Sequence, residues 1–391
     1  MRTSAAAAGL RSMADTPAPE KATCWLAVGS VNRPIPYFDG AAGHGISVFG
    51  LDEETGEWAL LSETGDIDNP TFLAVDAEAG RVFASSEVFE WNEGLVSAYK
   101  LDPATGALSY INKQVVPGSL TAHLALDGSC RFVLATNYSH EMADEVPGQA
   151  MAVFPVREDG GLQPASASVK HEGSGPNPDR QRVPHPHSTV ASPENDLISV
   201  ADLGCDRLFH YAFDSATGTL TPAADAETVL PPGAGPRHFL YAPDGHHLYV
   251  ITELASTVVV YRREAGRLEG PISEISTLPA GFSGETLCAD IQISADGRFL
   301  YGSNRGHDSI ACFSADLESG ALEAIGHTPC GGKIPRSFAL TPSGRHMVVA
   351  NQESDSLAVL AIDPETGLLS DTGWRLPVGS PTCVKAFVPK G

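Results

Sequence analysis

From residue 22 to residue 388 the chain alternates short apolar runs with turns built on Gly, Asp, Asn and Pro. One unit recurs throughout. An apolar strand leads through an Asp-Gly-like turn to a second apolar strand, then a polar loop, a third apolar strand and a hairpin with a central Gly. The clearest copies span 236–261 and 335–363, and 289–313, 186–213 and 70–102 keep the same register. Residues 122–156 form a more degenerate copy with a longer loop. The hairpin is an independent ruler, with its glycine at 56, 106, 160, 218, 266, 320 and 367. Gly suits that position because the turn requires a positive φ. Seven units of roughly 50 residues, each of several short strands, predict an antiparallel β-propeller.

The two ends of the chain fit a closed ring. The first copy begins directly at a second-strand pattern, CWLAVGS at 24–30, with no inner strand before it. The last segment, PTCVKAFV at 381–388, is an inner-strand pattern with no copy after it. Together they complete one blade and leave no open sheet edge. The expected fold is therefore all-β: a seven-bladed propeller over 22–391, closed by pairing the C-terminal strand with the N-terminal blade.

Composition narrows the partners. The 391 residues hold 48 Asp and Glu against 25 Lys and Arg, a formal charge of −23. Nucleic acids and anionic membranes require a basic face, so neither is an expected partner. At 42% hydrophobic residues a core is assured, yet no apolar run approaches the length of a membrane span. Seven scattered cysteines contain no CxxC pair, which predicts reduced thiols and a cytoplasmic protein. Residues 1–21 carry Arg2 and Arg11 among Ala and Ser, and read as a disordered tail or a targeting extension. Nothing in the sequence indicates an oligomeric state.

The repeat also points to the chemistry. Where the inner strand begins, the copies carry His187, Arg237 and Arg336, followed by Ser188, His238 and Ser337; the latter slot holds His123 and Asp290 in two other blades. After the second strand, one aligned position carries Leu203, Glu253, Arg305 and Gln352, preceded by Asp202, Thr252, Asn304 and Asn351. Such positions face a shared channel. A different ionisable group in each blade exceeds what a structural repeat needs, and suggests a site for an anionic, oxygen-rich small molecule. Asp202, Asp308 and Asp355 read instead as turn caps, and His246 and His247 as solvated residues of an outer turn. His185 and His187 point the same way on an extended segment, but spacing offers no third ligand, so no metal or other cofactor is expected.

PHPHS (184–188) with DLGCDR (202–207), GPRHF (235–239), TEL (252–254), SNRGHDSI (303–310), PRSF (335–338) and VANQESDS (349–356) resemble the seven-bladed lactonase family. That family includes the cycloisomerase-type 6-phosphogluconolactonases and the fungal carboxy-cis,cis-muconate cyclases. The resemblance runs from about residue 22 to residue 388 and implies an active site of His187, Arg237, Glu253 and Arg305. His123, His185, His238, Arg336, Asn304 and Gln352 would bind substrate. The expected reaction is hydrolysis of a sugar lactone such as 6-phospho-D-glucono-1,5-lactone, with Glu253 or His187 as general base. Cyclisation of a carboxymuconate is the alternative chemistry, and a non-catalytic interaction platform the alternative class. The segments 138–150 and 171–184 are enlarged relative to the compact blades and lie where they could reshape the channel mouth.

Overall fold

A computed structural model describes residues 22–38, 40–138 and 148–390. The N-terminal segment 1–21 and most of the enlarged 138–150 loop thus fall outside the described residues. Among those described, every sheet is four-stranded and antiparallel, and there are seven of them. In chain order the inner strands are Leu73–Asp76, Thr121–Leu126, Pro186–Ala191, Pro236–Tyr241, Leu287–Ile293, Pro335–Leu340 and Pro381–Phe387. The last pairs with Cys24–Ser30, with Trp25 opposite Phe387 and Gly29 opposite Cys383. Numbering the closing blade as the first, the others follow as blades 2 to 7. Closure through the two ends is as the repeat predicted. The degenerate copy is blade 3, whose outer strand is only Ala167–Val169.

All seven hairpin glycines have φ between 71° and 86°. Positive φ is only half of their role. A Cβ on Gly218 would lie 2.3 Å from the Phe132 ring of the preceding blade, and one on Gly320 would lie 2.2 Å from the His247 ring. These two hairpins, and that at Gly367 against Phe299, lie directly on the first residue of the preceding blade's second strand. This corrects one expectation from the sequence: His246 is exposed, but His247 begins the strand His247–Thr252 and is only 2% exposed, covered by the next blade's hairpin. Hydrophobic periodicity within one blade cannot register cover supplied by another.

The loops that join blades are tied by aspartates in the left-handed region. Asp308 accepts the Ile334 amide at 2.8 Å and Asp355 the Ser380 amide at 2.7 Å. Asp206 takes the Gly233 and Gly235 amides at 2.6 and 2.7 Å. Each carboxylate caps the segment that starts the following blade, so Asp308 and Asp355 do the structural work expected of them, between blades as well as within turns. Asp202 accepts the His185 and Cys205 amides and pairs with buried His171 at 2.7 Å.

Close approach recurs at the ring's seam. A Cβ on Gly29 would lie 2.1 Å from the Pro70 carbonyl oxygen of blade 2. Backbone cannot yield as a flexible side chain does, so Gly29→Ala is expected to cost about 1–3 kcal/mol of stability by overpacking. The midpoint of urea unfolding measures it; an unshifted midpoint would show that the seam tolerates displacement.

Candidate active site

Inner strands start with a shared irregularity. Pairing slips between Thr121 and His123, Pro186 and Ser188, Pro236 and His238, and Pro335 and Ser337, so one residue of each pair's span is left off the ladder. These β-bulges re-aim side chains. The extra residues are Ala122, His187, Arg237 and Arg336, and all four line one cavity of about 490 Å³ at the channel mouth. Residues at or just past the ends of the second strands add to its wall: Glu87, Tyr138, Glu253 and Arg305. The volume suits a small ligand. A smaller cavity of about 250 Å³ adjoins it, sharing Tyr37, Leu287, Arg305 and Arg336 and adding Gln352.

Glu253 is the centre of charge. Its Oε1 accepts from Arg180 at 2.6 Å, and its Oε2 accepts from Arg237 Nε at 3.0 Å and Arg305 Nη2 at 2.8 Å. Burial opposes its ionisation, but Arg305, Arg237 and Arg180 outweigh that and hold the carboxyl down to about 2. With both oxygens occupied by guanidinium groups, Glu253 is a fixed counter-ion and a poor proton acceptor.

Arg237 is itself held from behind. Its Nη1 donates to the Ala289 carbonyl at 2.6 Å and to His238 Nε2 at 3.1 Å. His238 must then carry its proton on Nδ1, which donates to Asp290 at 2.9 Å. Burial and Arg237 lower His238 to about 4, so it is neutral at pH 7 and able to accept from the guanidinium. Burial and Arg305 lower Arg237 to about 9, which leaves it cationic. Among the described residues, Arg237 Nη2 has no protein acceptor, and it is the donor left for a ligand.

His187 is 5% exposed. Burial and then Arg237 keep its basicity well below the usual histidine range, so it too is a neutral imidazole at pH 7. Its Nδ1 is buried with no hydrogen-bond partner among the described residues, and Nε2 is the nitrogen left to act. His185 stacks on Tyr138 with ring centroids 4.7 Å apart and meets the Tyr138 carbonyl through Nδ1 at 3.1 Å.

The residues expected at the site thus divide. His187, Arg237, Glu253, Arg305, Arg336 and His185 line the larger cavity, and Gln352 lines the smaller. His123, His238 and Asn304, expected to bind substrate, line neither cavity. His123 packs on Phe72 with ring centroids 4.3 Å apart, one layer below the cavity. Asn304 accepts from Thr277 Oγ1 at 2.7 Å and donates to Ser309 at 3.3 Å, bracing its own loop. After a bulged residue turns to the mouth, its successor packs inward, and the sequence register separates the two positions but not the directions their side chains take.

Arg180, Tyr37, Tyr138 and Glu87 were not singled out by sequence. Glu87 and Tyr138 follow the second strands Arg81–Ser86 and Phe132–Asn137, the position Glu253 holds in blade 5, so extending the alignment to blades 2 and 3 would have reached them. Arg180 and Tyr37 sit in inserted loops that have no counterpart in other blades. Four arginines and three carboxylates line this cavity, a cationic balance within a chain of charge −23.

Known proteins share this fold. The family model described as "Lactonase, 7-bladed beta-propeller" matches residues 26–386. A 6-phosphogluconolactonase of Bacillus subtilis is 34% identical over 301 residues, covering 76% of this chain and 82% of that protein. One of Formosa agariphila is 35% identical over 313 residues, covering 78% and 85%. The solved structure of a periplasmic gluconolactonase from Pseudomonas aeruginosa superposes with a TM-score of 0.85 at 32% identity, covering 94% of this chain and all of that one. With a match over nearly the whole ring and relatives above 30% identity, the chain belongs to the seven-bladed β-propeller lactonase family.

Proposed function

We propose that this protein hydrolyses a sugar δ-lactone, 6-phospho-D-glucono-1,5-lactone, to 6-phosphogluconate. The observation that carries the reading is the convergence of a neutral histidine and four arginines on one concave, cationic cavity of about 490 Å³. Such a cavity suits an anionic ester with a polar ring. The 6-phosphogluconolactonase relatives supply the sugar and its phosphate.

In this scheme water attacks C1 of the lactone while His187 takes its proton through Nε2. General-base assistance of this kind contributes roughly 10²–10⁴ in rate. Arg237, aimed by Glu253 behind it and by His238 and Asp290, offers Nη2 to the oxyanion that develops on the carbonyl oxygen. Collapse breaks the bond from C1 to the ring oxygen, and the His187 imidazolium returns its proton to that oxygen. Glu253 holds Arg237 and Arg305 in place and does not move a proton. Among the described residues no group of His, Cys, Asp and Glu is arranged to hold a metal ion, and the scheme calls for none.

A pH profile tests the assignment of the base. His187 must be neutral to accept a proton, and burial places its titration well below 6.5. kcat/KM on freshly generated lactone is therefore expected to stay level from pH 7 to below pH 6 and fall only under more acid conditions. His187→Asn is expected to lose the acid limb together with about 10²-fold or more of the rate. A wild-type limb at or above pH 6.5, or an unchanged limb in the variant, would assign the proton to another group.

We place the protein in the cytoplasm. All seven cysteines are free and six are buried, which supports a reducing compartment, although the Pseudomonas relative is periplasmic.

A further inference from the structure

Three of the four arginines at the cavity are committed to Glu253. Arg336 is different. It stands at the bulge of the inner strand Pro335–Leu340, and among the described residues no carboxylate lies within ion-pair distance of it. Its contact is Tyr37: Nη2 approaches the phenol oxygen at 3.4 Å, and the guanidinium carbon lies 5.8 Å from the ring centroid. Tyr37 arrives from the loop that follows Cys24–Ser30 and packs edge-on against Phe89, with centroids 5.7 Å apart.

Position adds to charge. His187 lines only the larger cavity, whereas Arg336 and Tyr37 line both. Arg336 is also among the cations whose field keeps His187 neutral. A ligand that extends from His187 in the larger cavity toward the smaller one would meet Arg336 and Tyr37, which line both. Glu87 and Glu253 act on Arg336 only from beyond ion-pair distance. A guanidinium with no carboxylate in direct contact, beside a phenol hydroxyl, offers donors from two directions, which suits a group with several anionic oxygens.

Resting on the lactonase reading, we propose that Arg336 and the Tyr37 hydroxyl form a subsite for a terminal phosphate. It selects a phosphorylated sugar lactone over the same lactone without phosphate. Arg180, Arg237 and Arg305 are each held by the Glu253 carboxylate, whereas Arg336 is not.

The test is the ratio of kcat/KM on 6-phosphoglucono-δ-lactone to that on glucono-δ-lactone. The wild-type protein is expected to favour the phosphorylated substrate. Arg336→Ala is expected to lower the ratio by about 10- to 100-fold, chiefly through KM, as loss of a charged hydrogen bond should. Arg336→Lys restores part of the ratio as a point charge, and Tyr37→Phe lowers it by a smaller factor. A wild-type ratio near one, or an equal loss on both substrates in Arg336→Ala, would overturn the subsite. Should the wild-type protein open neither lactone, the lactonase reading itself fails. The subsite is then decided by inorganic phosphate: protection against thermal unfolding that is absent in Arg336→Ala supports it, and equal or no protection in both proteins overturns it.

Discussion

Replacing Glu253 by glutamine is expected to lower kcat/KM by at least about 10²-fold and to destabilise the fold at the same time. Glutamine keeps the shape of the side chain and removes its charge. Arg237, 3% exposed, and Arg305, whose side chain is 13% exposed, would then share a buried space with no counter-ion. Breaking a buried ion pair from one side typically costs about 3–5 kcal/mol, far more than an exposed pair is worth. The effect on rate follows from the same geometry, because the charge-assisted bond from Arg237 Nε that aims Nη2 at the substrate becomes at best a weaker bond to a neutral amide oxygen. The pH dependence has a definite sign. Glu253 is depressed from 4.5 to about 2, so its ionisation stabilises the protein fully above about pH 4.5. That contribution is lost as the pH falls toward 2. Urea midpoints of the two proteins should differ by a constant amount from pH 7 to about 4.5 and converge below. Equal midpoints at pH 7, with turnover retained, would mean that the arginines are organised by something other than Glu253.

The second large effect concerns closure of the ring. Deleting residues 380–390 removes the inner strand of the closing blade and leaves Cys24–Ser30 as a bare sheet edge. It also uncovers apolar surface now filled by Cys383, Val384 and Phe387. The truncated chain is expected to lose its cooperative unfolding transition and to aggregate. Trp25 lies opposite Phe387, so the end of one strand is a hairpin's reach from the start of the other. A circular permutant that joins residue 388 to residue 22 by a short turn, with new termini between blades 3 and 4, is therefore expected to fold and unfold like the parent. Cooperative unfolding of the deletion protein, by circular dichroism and calorimetry, would show that six blades suffice. Failure of the permutant alone would show that the order of the ends matters beyond their pairing.

The site was legible in proportion to how closely it follows the repeat. His187, Arg237, Arg336, Glu253 and Arg305 occupy two positions of the blade register and were found by comparing copies. Glu87 and Tyr138 hold one of those same positions and needed only two further copies in the comparison. Arg180 could not be found in this way. It belongs to the enlarged segment 171–184, which no other blade repeats, yet it takes Oε1 of Glu253 at 2.6 Å. His123 and His238 show the opposite limit, since their positions align with the channel but their buried side chains line neither cavity.

Sequence alone determined the number of blades, the hairpins, the way the ring closes, and the family. These are local properties, because a strand's alternation and a turn's demand for glycine or aspartate are set within a few residues and then repeated seven times. Tertiary structure decided what surrounds each ionisable group. Glu253 reads as a general base in isolation, and becomes a counter-ion once three arginines from separate parts of the chain reach it. His247 reads as a surface residue until the hairpin at Gly320 covers it. The charge state of a buried group depends on which charges stand within a few ångströms and how much water is excluded, and neither is fixed until distant blades are brought together.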